Sequence, residues 1–199
     1  MDTNIMRQLI QEADDGLLKE LILQHCKEDR LFYLETLSCL GSSCEDEYQA
    51  IKNVVEDSID KNVYRGQMNK SDCTEVCNTM ITVLKLAQRH LDQKRYAQAM
   101  DIAFYIFCAC IDLMDRTSNT SDPVWNVFGS SSSILSRSTA IVQQTGSVEE
   151  KQSQALRILQ IAKASAMLPW CDLRCDLLTQ ALPLASESCA EEILQVLKQ

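Results

Sequence analysis

The stretch of sequence that decides the fold is residues 71–114, SDCTEVCNTMITVLKLAQRHLDQKRYAQAMDIAFYIFCACIDLM. Apolar residues recur every three or four positions up to Leu91 and again from Tyr96 onward, which is the period of an amphipathic helix. Residues 92–95 separate the two runs, and so short a link requires antiparallel neighbours. The stretch therefore predicts a helical hairpin. The inward face of its first helix is predicted to carry Val76, Met80, Val83, Leu84, Ala87 and Leu91.

The rest of the chain has the composition of a helical protein. Its 199 residues include five glycines and three prolines, about a third of the usual share. A β-sandwich, a barrel or a doubly wound sheet needs more turn residues than this. We therefore expect an all-α fold of about eight to ten helices, paired as antiparallel hairpins in a repeat-like superhelix or an irregular bundle. The chain (1–199) is predicted to be one domain, with a possible division into acidic N-terminal helices (1–66) and a main helical body (67–199).

Several helix ends can be predicted from capping residues. Ser71 is placed to cap the first helix of the hairpin. Ser147 and Glu150 have the spacing of a capping box, which opens a helix running to Met167. A second capping box is predicted at Ser188, with a glutamate three residues later. The other predicted helices cover residues 4–13, 16–27, 29–40, 44–60, 171–182 and 188–198.

The third quarter of the chain contains two local interruptions. Residues 115–122, DRTSNTSD, are rich in turn-forming side chains and predict a loop. Pro123 suits the first turn of the helix that follows, because proline there loses no hydrogen bond. Within that helix, residues 129–133 read GSSSS. Since serine weakens a helix, we expect either a close helix–helix approach or a break at this point.

The net charge of −9 is confined to the N-terminal third. Residues 1–60 contain 14 acids and 5 bases, whereas residues 61–199 contain 14 of each. An acidic segment repels phosphate backbones and anionic lipid, so we predict no binding to nucleic acid or to membranes. The acids serve either to keep exposed helix faces solvated or to form a surface for a basic partner.

Cysteine usage bears on the cellular compartment. The chain has ten cysteines, and its first residues, MDTNIMRQLI, lack the features of a secretory signal. We therefore predict a cytoplasmic protein with reduced thiols, most of them packed as small hydrophobic residues. The longest apolar run, residues 102–111, is shorter than the roughly 20 residues of a membrane span and is predicted to be a buried core helix.

Four cysteines form the best candidates for a metal site. Cys73 and Cys77 are spaced by four residues, as are Cys171 and Cys175, so each pair of thiols faces one side of a helix. Two such pairs could provide a tetrahedral zinc site. Burial explains these cysteines with fewer assumptions, so the prediction is no cofactor, with zinc as the alternative.

No catalytic motif is recognisable in the sequence, which contains no phosphate-binding loop, nucleophile elbow or His-Glu-x-x-His. We therefore predict a non-catalytic module that binds another protein or peptide. The alternatives are a zinc protein or a thiol enzyme, and self-association as a homodimer through the 102–111 helix. The acidic face of residues 44–60 is one predicted binding surface, and the other is a groove beside the hairpin. The candidate residues of that groove are Lys85, Arg89, Lys94, Arg95 and Tyr96.

Residues 84–110 resemble the helical hairpin of tetratricopeptide-type repeats. Leu84 and Ala87 occupy the repeat's apolar and small positions in the first helix. Tyr96 follows the turn and Ala99 follows at the repeat's spacing, continued by Ala103 and Ile106. The chain departs from the repeat in having alanine for its glycine, no terminal proline and no second 34-residue copy. This resemblance implies antiparallel helix pairs and a protein-binding role.

A wider resemblance covers residues 17–140. An acidic helical lead-in, a long hairpin and a loop like DRTSNTSD follow each other as in the helical region that accompanies SWIM-type zinc fingers in some bacterial proteins. The finger's own C-x-C and C-x-H pairs are not reproduced: Cys108 and Cys110 lie in the apolar helix, and no C-x-H occurs. The resemblance implies a scaffold or interaction role without the DNA-linked associations of the finger.

Overall fold

The computed structural model describes residues 10–11, 14–40, 44–64, 67–117 and 122–198. In this part of the chain the regular structure is helical, and the only extended pairings are two isolated bridges, Tyr64 with Gln67 and Met68 with Thr117. The prediction of an all-α fold is confirmed. Nine α-helices have both ends within the described residues: α1 (Asp15–Glu28), α2 (Arg30–Leu40), α3 (Cys44–Asn62), α4 (Lys70–Asp92), α5 (Tyr96–Arg116), α6 (Asp122–Thr145), α7 (Val148–Lys163), α8 (Cys171–Ala181) and α9 (Glu187–Leu197), with short 3-10 turns at Ser165–Met167 and Leu182–Leu184.

The chain forms two compact units, Met1–Val54 and Val55–Gln199. The first contains α1, α2 and the beginning of α3. Within it α1 packs on α2, and the ring of His25 meets the ring of Phe32 edge to face, with 4.4 Å between centroids. Apart from residues 10–11, the helix predicted over 4–13 lies outside the described residues.

The second unit is organised around α4, α5 and α6, which pack on one another. The turn between α4 and α5 is a Schellman motif, in which the Arg95 amide donates to the His90 carbonyl and the Lys94 amide to that of Leu91. Lys94 takes the left-handed conformation that this motif requires, with φ of 63°. The turn reverses the chain, as the hairpin pattern predicts.

The core of this unit follows the predicted helix faces. All six residues predicted to face inward on α4 are buried. On α5 the side chains of Met100, Ile106 and Phe107 have no exposed surface. Each such side chain removed from water contributes about 1.5–3 kcal/mol, so this three-helix interface is the main source of the unit's stability.

Helix α5 also has the length and composition of a membrane span, with a mean hydropathy of 1.5 over Tyr96–Met114. This stretch is longer than the ten-residue apolar run because Ala97, Ala99 and Met100 extend it on one side and Leu113 and Met114 on the other. Half of it is buried inside the fold, where it packs against α4 and α6. It has the surroundings predicted for a core helix.

Three predicted helix ends are wrong by two to four residues. Asn69, not Ser71, caps α4, since its side chain accepts a hydrogen bond from the Asp72 amide at 3.0 Å. Helix α7 ends at Lys163, because Ala164 turns extended and the next residues form a 3-10 turn. Helix α9 begins after Ser186, which leaves Ser188 inside its first turn and not at a cap.

The serine run does not break α6, so that alternative is wrong. Three of its hydroxyls donate to carbonyls of their own helix: Ser130 to Asn126, and both Ser131 and Ser132 to Phe128. These bonds satisfy the polar side chains without interrupting the backbone. A Cβ at Gly129 would meet nothing within 4 Å, so no close helix approach occurs at the glycine.

Helices α7 and α8 pack on the α4–α6 bundle, and α9 packs on α7 and α8. Helix α7 begins with the predicted capping box, in which Ser147 and Glu150 exchange hydrogen bonds of 3.2 and 2.7 Å. A buried polar chain then joins it to the bundle: Gln154 Nε2 donates to Ser138 Oγ at 3.3 Å, and Ser138 Oγ donates to the Tyr96 carbonyl at 3.3 Å. Three helices are thereby held in register.

Candidate functional site

A groove of about 500 Å³ lies between α4 and α6. Its lining residues lie between positions 81 and 137 of the sequence. They come from two helices that are not consecutive in the chain. Its walls combine aliphatic side chains with polar ones. The residues lining it are Ile81, Leu84, Lys85, Gln88, Trp125, Asn126, Gly129, Ser130, Ser133, Ile134 and Arg137. We call this surface the α4–α6 groove.

The α4–α6 groove carries positive charge. Lys85 and Arg137 are its charged residues, and none of the described side chains that line it is acidic. Arg137 Nη1 donates to Gln88 Oε1 at 2.8 Å, and Gln88 Nε2 donates to Asp92 Oδ1 at 2.9 Å. Gln88 thus holds the guanidinium across the groove. A guanidinium beside an ammonium favours a ligand with carboxylates.

Trp125 supplies an aromatic wall, and 44% of its surface is exposed. Its ring is held from behind by Phe128 and Trp170, with centroid distances of 5.7 and 6.1 Å. Phe107 of α5 extends the same cluster, and its ring centroid lies 4.6 Å from that of Phe128. Because the ring is already ordered, contact with a ligand would cost little conformational entropy.

Small residues leave room beside this aromatic wall. Gly129, Ser130 and Ser133 lie on the α6 side, and the position of a Cβ on Gly129 is open. Asn126, Ser130, Ser133 and Arg137 recur at helical spacing, which gives α6 a polar stripe along the groove. Apolar side chains of a ligand can therefore enter between Trp125 and the aliphatic residues of α4.

A second groove, of about 340 Å³, lies between the end of α3 and α5. Its charge is mainly negative, from Glu56, Asp60 and Asp112, with one cation, Arg116. Cys108 also lines it, and burial together with the neighbouring Asp112 raises the pKa of that thiol to about 11. Such a thiol is protonated at neutral pH and is a poor nucleophile.

The five residues predicted for a binding groove have different surroundings. Lys85 lines the α4–α6 groove, and Arg89 is exposed one turn further along α4. Lys94 and Arg95 are exposed in the turn, while Tyr96 is buried at the start of α5. Of the five, Lys85 alone is among the described residues that line the α4–α6 groove.

Arg137, Gln88 and Trp125 are the groove residues that the sequence reasoning missed. The stripe of polar residues on α6 was a signal that this face of the helix is not core. Only the packing of α4 against α6 shows that Lys85 and Arg137 share a groove.

The four cysteines proposed as zinc ligands have different surroundings. Cys73 and Cys77 are buried in α4, whereas Cys171 and Cys175 are exposed on α8. Within the described ranges, no three side chains of the histidine, cysteine or carboxylate type are grouped so that they could hold a metal ion. Burial and the nearby Cys73 raise the pKa of Cys77, which favours the protonated thiol.

Comparison with known proteins identifies no relative of this chain. The sequence matches no protein-family model, no curated protein and no solved structure. The functional assignment therefore rests on the geometry and charge of the grooves.

Proposed function

We propose that the chain is a non-catalytic protein-interaction module whose α4–α6 groove binds an acidic, amphipathic segment of a protein partner. The observation that carries this proposal is the combination of Lys85 and Arg137 with Trp125 in one groove that has no acidic side chain among its described lining residues. Carboxylates of the segment meet the two cations, and its apolar side chains pack against Trp125.

The groove has the mixed character of a peptide-binding surface. Its aliphatic residues give apolar area, its aromatic ring gives a preformed contact, and its cations give orientation and an increased association rate. A helix that lays one face into such a groove uses apolar anchors three or four residues apart. The partner segment is therefore expected to be helical when bound.

We propose the cytoplasm as the site of this activity. All nine cysteines whose side chains are described are free thiols, as expected in a reducing compartment. The partner is a protein, since the acidic N-terminal third disfavours nucleic acid and anionic lipid.

The test is a peptide-binding titration. A fluorescein-labelled helical peptide with leucine and glutamate at helical spacing is titrated with the full chain, and anisotropy is recorded. We expect saturable binding that weakens as salt is raised, because screening reduces the attraction between charges. A peptide of the same pattern with lysine for glutamate is the matched control, and we expect it not to displace the acidic peptide.

Two variants locate the binding site. Lys85→Glu with Arg137→Glu reverses the charge of the groove, and this variant should lose the acidic peptide. Lys151→Glu with Lys198→Glu makes the same charge change outside the groove and should bind the peptide like the wild type. Equal loss of the acidic peptide in both pairs of substitutions, or no loss when the groove's charge is reversed, would show that the groove is not the site.

A further inference from the structure

Helix α1 presents an apolar surface to solvent. None of its residues is buried, and Leu17 and Leu21 are 53% and 54% exposed. Contiguous exposed apolar patches mark interaction sites more often than isolated apolar side chains do. The helix is also fixed at its start, since the Asp14 carboxylate accepts hydrogen bonds from the amides of Gly16 and Leu17.

The exposed leucines share one face with acidic residues. At about 100° per residue, one arc of roughly 100° contains Leu17, Glu20, Leu21, Gln24 and Glu28. All five are exposed. His25, which contacts Phe32 of α2, points to the side of this arc. We call these five residues the α1 acidic face.

The α1 acidic face matches the α4–α6 groove in charge and in polarity. It offers two leucines and two glutamates, and the groove offers Lys85 and Arg137 around aliphatic residues and Trp125. Segment 14–29 as a whole has five acids and two bases, so its net charge also opposes that of the groove.

We propose that the α1 acidic face occupies the α4–α6 groove of a second copy of this chain. Each copy then gives its α1 to the partner and receives the partner's α1, which closes the assembly as a symmetric dimer. This inference rests on the proposed function, because it names the acidic segment that the groove binds.

The first measurement is the mass of the full chain by light scattering after size exclusion. We expect twice the 22.5 kDa of one chain. Leu17→Ser with Leu21→Ser (the helix variant) and Lys85→Glu with Arg137→Glu (the groove variant) should each be monomeric where the wild type is dimeric. Leu156→Ser with Leu194→Ser also removes two exposed leucines but lies outside both surfaces, and this control should remain dimeric.

The decisive measurement is a mixture of the helix variant and the groove variant. The helix variant keeps an intact groove and the groove variant keeps an intact α1, so one of the two interfaces re-forms. We expect a heterodimer from two chains that are monomeric alone. Adding Glu20→Lys and Glu28→Lys to the groove variant should likewise restore its dimer, because the charges are exchanged across the interface.

The outcomes separate this inference from the proposed function. A wild type that is monomeric but binds the acidic peptide would overturn the dimer and leave the groove's function in place. A chain that neither dimerises nor binds the peptide would overturn both. A dimer that persists in both the helix variant and the groove variant would also overturn the inference. So would the failure of both the mixture and the charge exchange to restore a dimer. If the dimer exists as proposed, the helix variant should bind the acidic peptide more tightly than the wild type, since its groove is unoccupied.

Discussion

Helices α1 and α5 are both rich in large aliphatic residues, yet they have opposite surroundings. In α1 no residue is buried, and Leu23 is 62% exposed. In α5, Ile106 and Phe107 have no exposed surface, because α4 and α6 pack on it. An apolar helix becomes core only where the same chain supplies complementary surfaces around it. The comparison assigns the apolar residues of α5 to the core, and those of α1 are the ones that the proposed dimer uses.

The largest expected effect is in the core. Phe107→Ala should lower the free energy of unfolding by about 3–5 kcal/mol, since it removes buried contacts and leaves a cavity. Both tryptophans lie within Val55–Gln199, so urea unfolding followed by their fluorescence reports this unit. Leu156→Ala, on the surface of α7, is the matched control and should change stability by less than about 0.5 kcal/mol. Equal losses in the two variants would contradict the assignment of Phe107 to the core.

The sequence predicts the positions of the helices better than it predicts which helices pack together. The period of apolar residues predicts the buried face of α4 because that period depends on local geometry alone. Helix ends are harder, since Asn69 and Ser71 are both good caps and only the backbone decides between them. The serine run of α6 has a low helix propensity, but its hydroxyls bond within the helix and the flanking core residues keep it helical.

The candidate site was the least predictable part. Arg137 and Gln88 are 49 residues apart in sequence, yet Arg137 Nη1 lies 2.8 Å from Gln88 Oε1. No local sequence pattern predicts this contact. The basic residues near the end of the hairpin are close in sequence, which suggested a shared surface. Lys85 and Arg89 lie one turn apart on α4, and Lys94 and Arg95 are exposed in the turn that follows. Of these residues Lys85 lines the α4–α6 groove, and a shared surface for the rest stays a prediction.

The next effect is a loss of stability at alkaline pH, which is caused by the buried thiols of α4 and α5. Burial raises the pKa of Cys110, and so do the nearby Cys77 and Cys108. Below the ordinary thiol pKa of 9.0 both folded and unfolded chains keep the proton. Above it the unfolded chain ionises first, so stability falls as pH rises.

The expected slope is at most about 1.4 kcal/mol per pH unit for each such thiol. Urea unfolding is measured at several pH values from 8 upward, about the range in which ordinary thiols titrate. Cys110→Ala should show a shallower fall than the wild type, whereas Cys171→Ala, which removes an exposed thiol, should keep the wild-type slope. Parallel curves for all three proteins would exclude the buried thiol as the cause.

Helix caps give a smaller effect that also separates the two regions. Ser147→Ala removes one half of the α7 capping box and should cost about 1 kcal/mol of the stability of Val55–Gln199. Asp14→Ala removes the cap of α1, and this variant should leave the tryptophan-detected unfolding curve unchanged. A shift of that curve by Asp14→Ala would mean that the stability of the two regions is coupled.

The α4–α5 turn offers a stabilising change. Lys94 has a left-handed backbone conformation, which costs a side-chain-bearing residue about 1 kcal/mol relative to glycine. Lys94→Gly should raise the free energy of unfolding by about 0.5 kcal/mol, after the greater freedom of glycine in the unfolded chain is subtracted. Lys151→Gly, in the helical part of α7, is the control and should lower it by about 0.5–1 kcal/mol.

The smallest expected effect is at α1 and completes the comparison with α5. In the groove variant, where no dimer is expected, Leu21→Ala should change the free energy of unfolding by less than about 0.5 kcal/mol, because more than half of Leu21 is already in water. The measurement is urea unfolding followed by far-ultraviolet circular dichroism. In the otherwise wild-type chain the same substitution should shift the dimer dissociation constant to higher concentration. A leucine that is silent in the monomer but affects the dimer acts in association, whereas a large loss in the monomer would place Leu21 in a core, like Phe107.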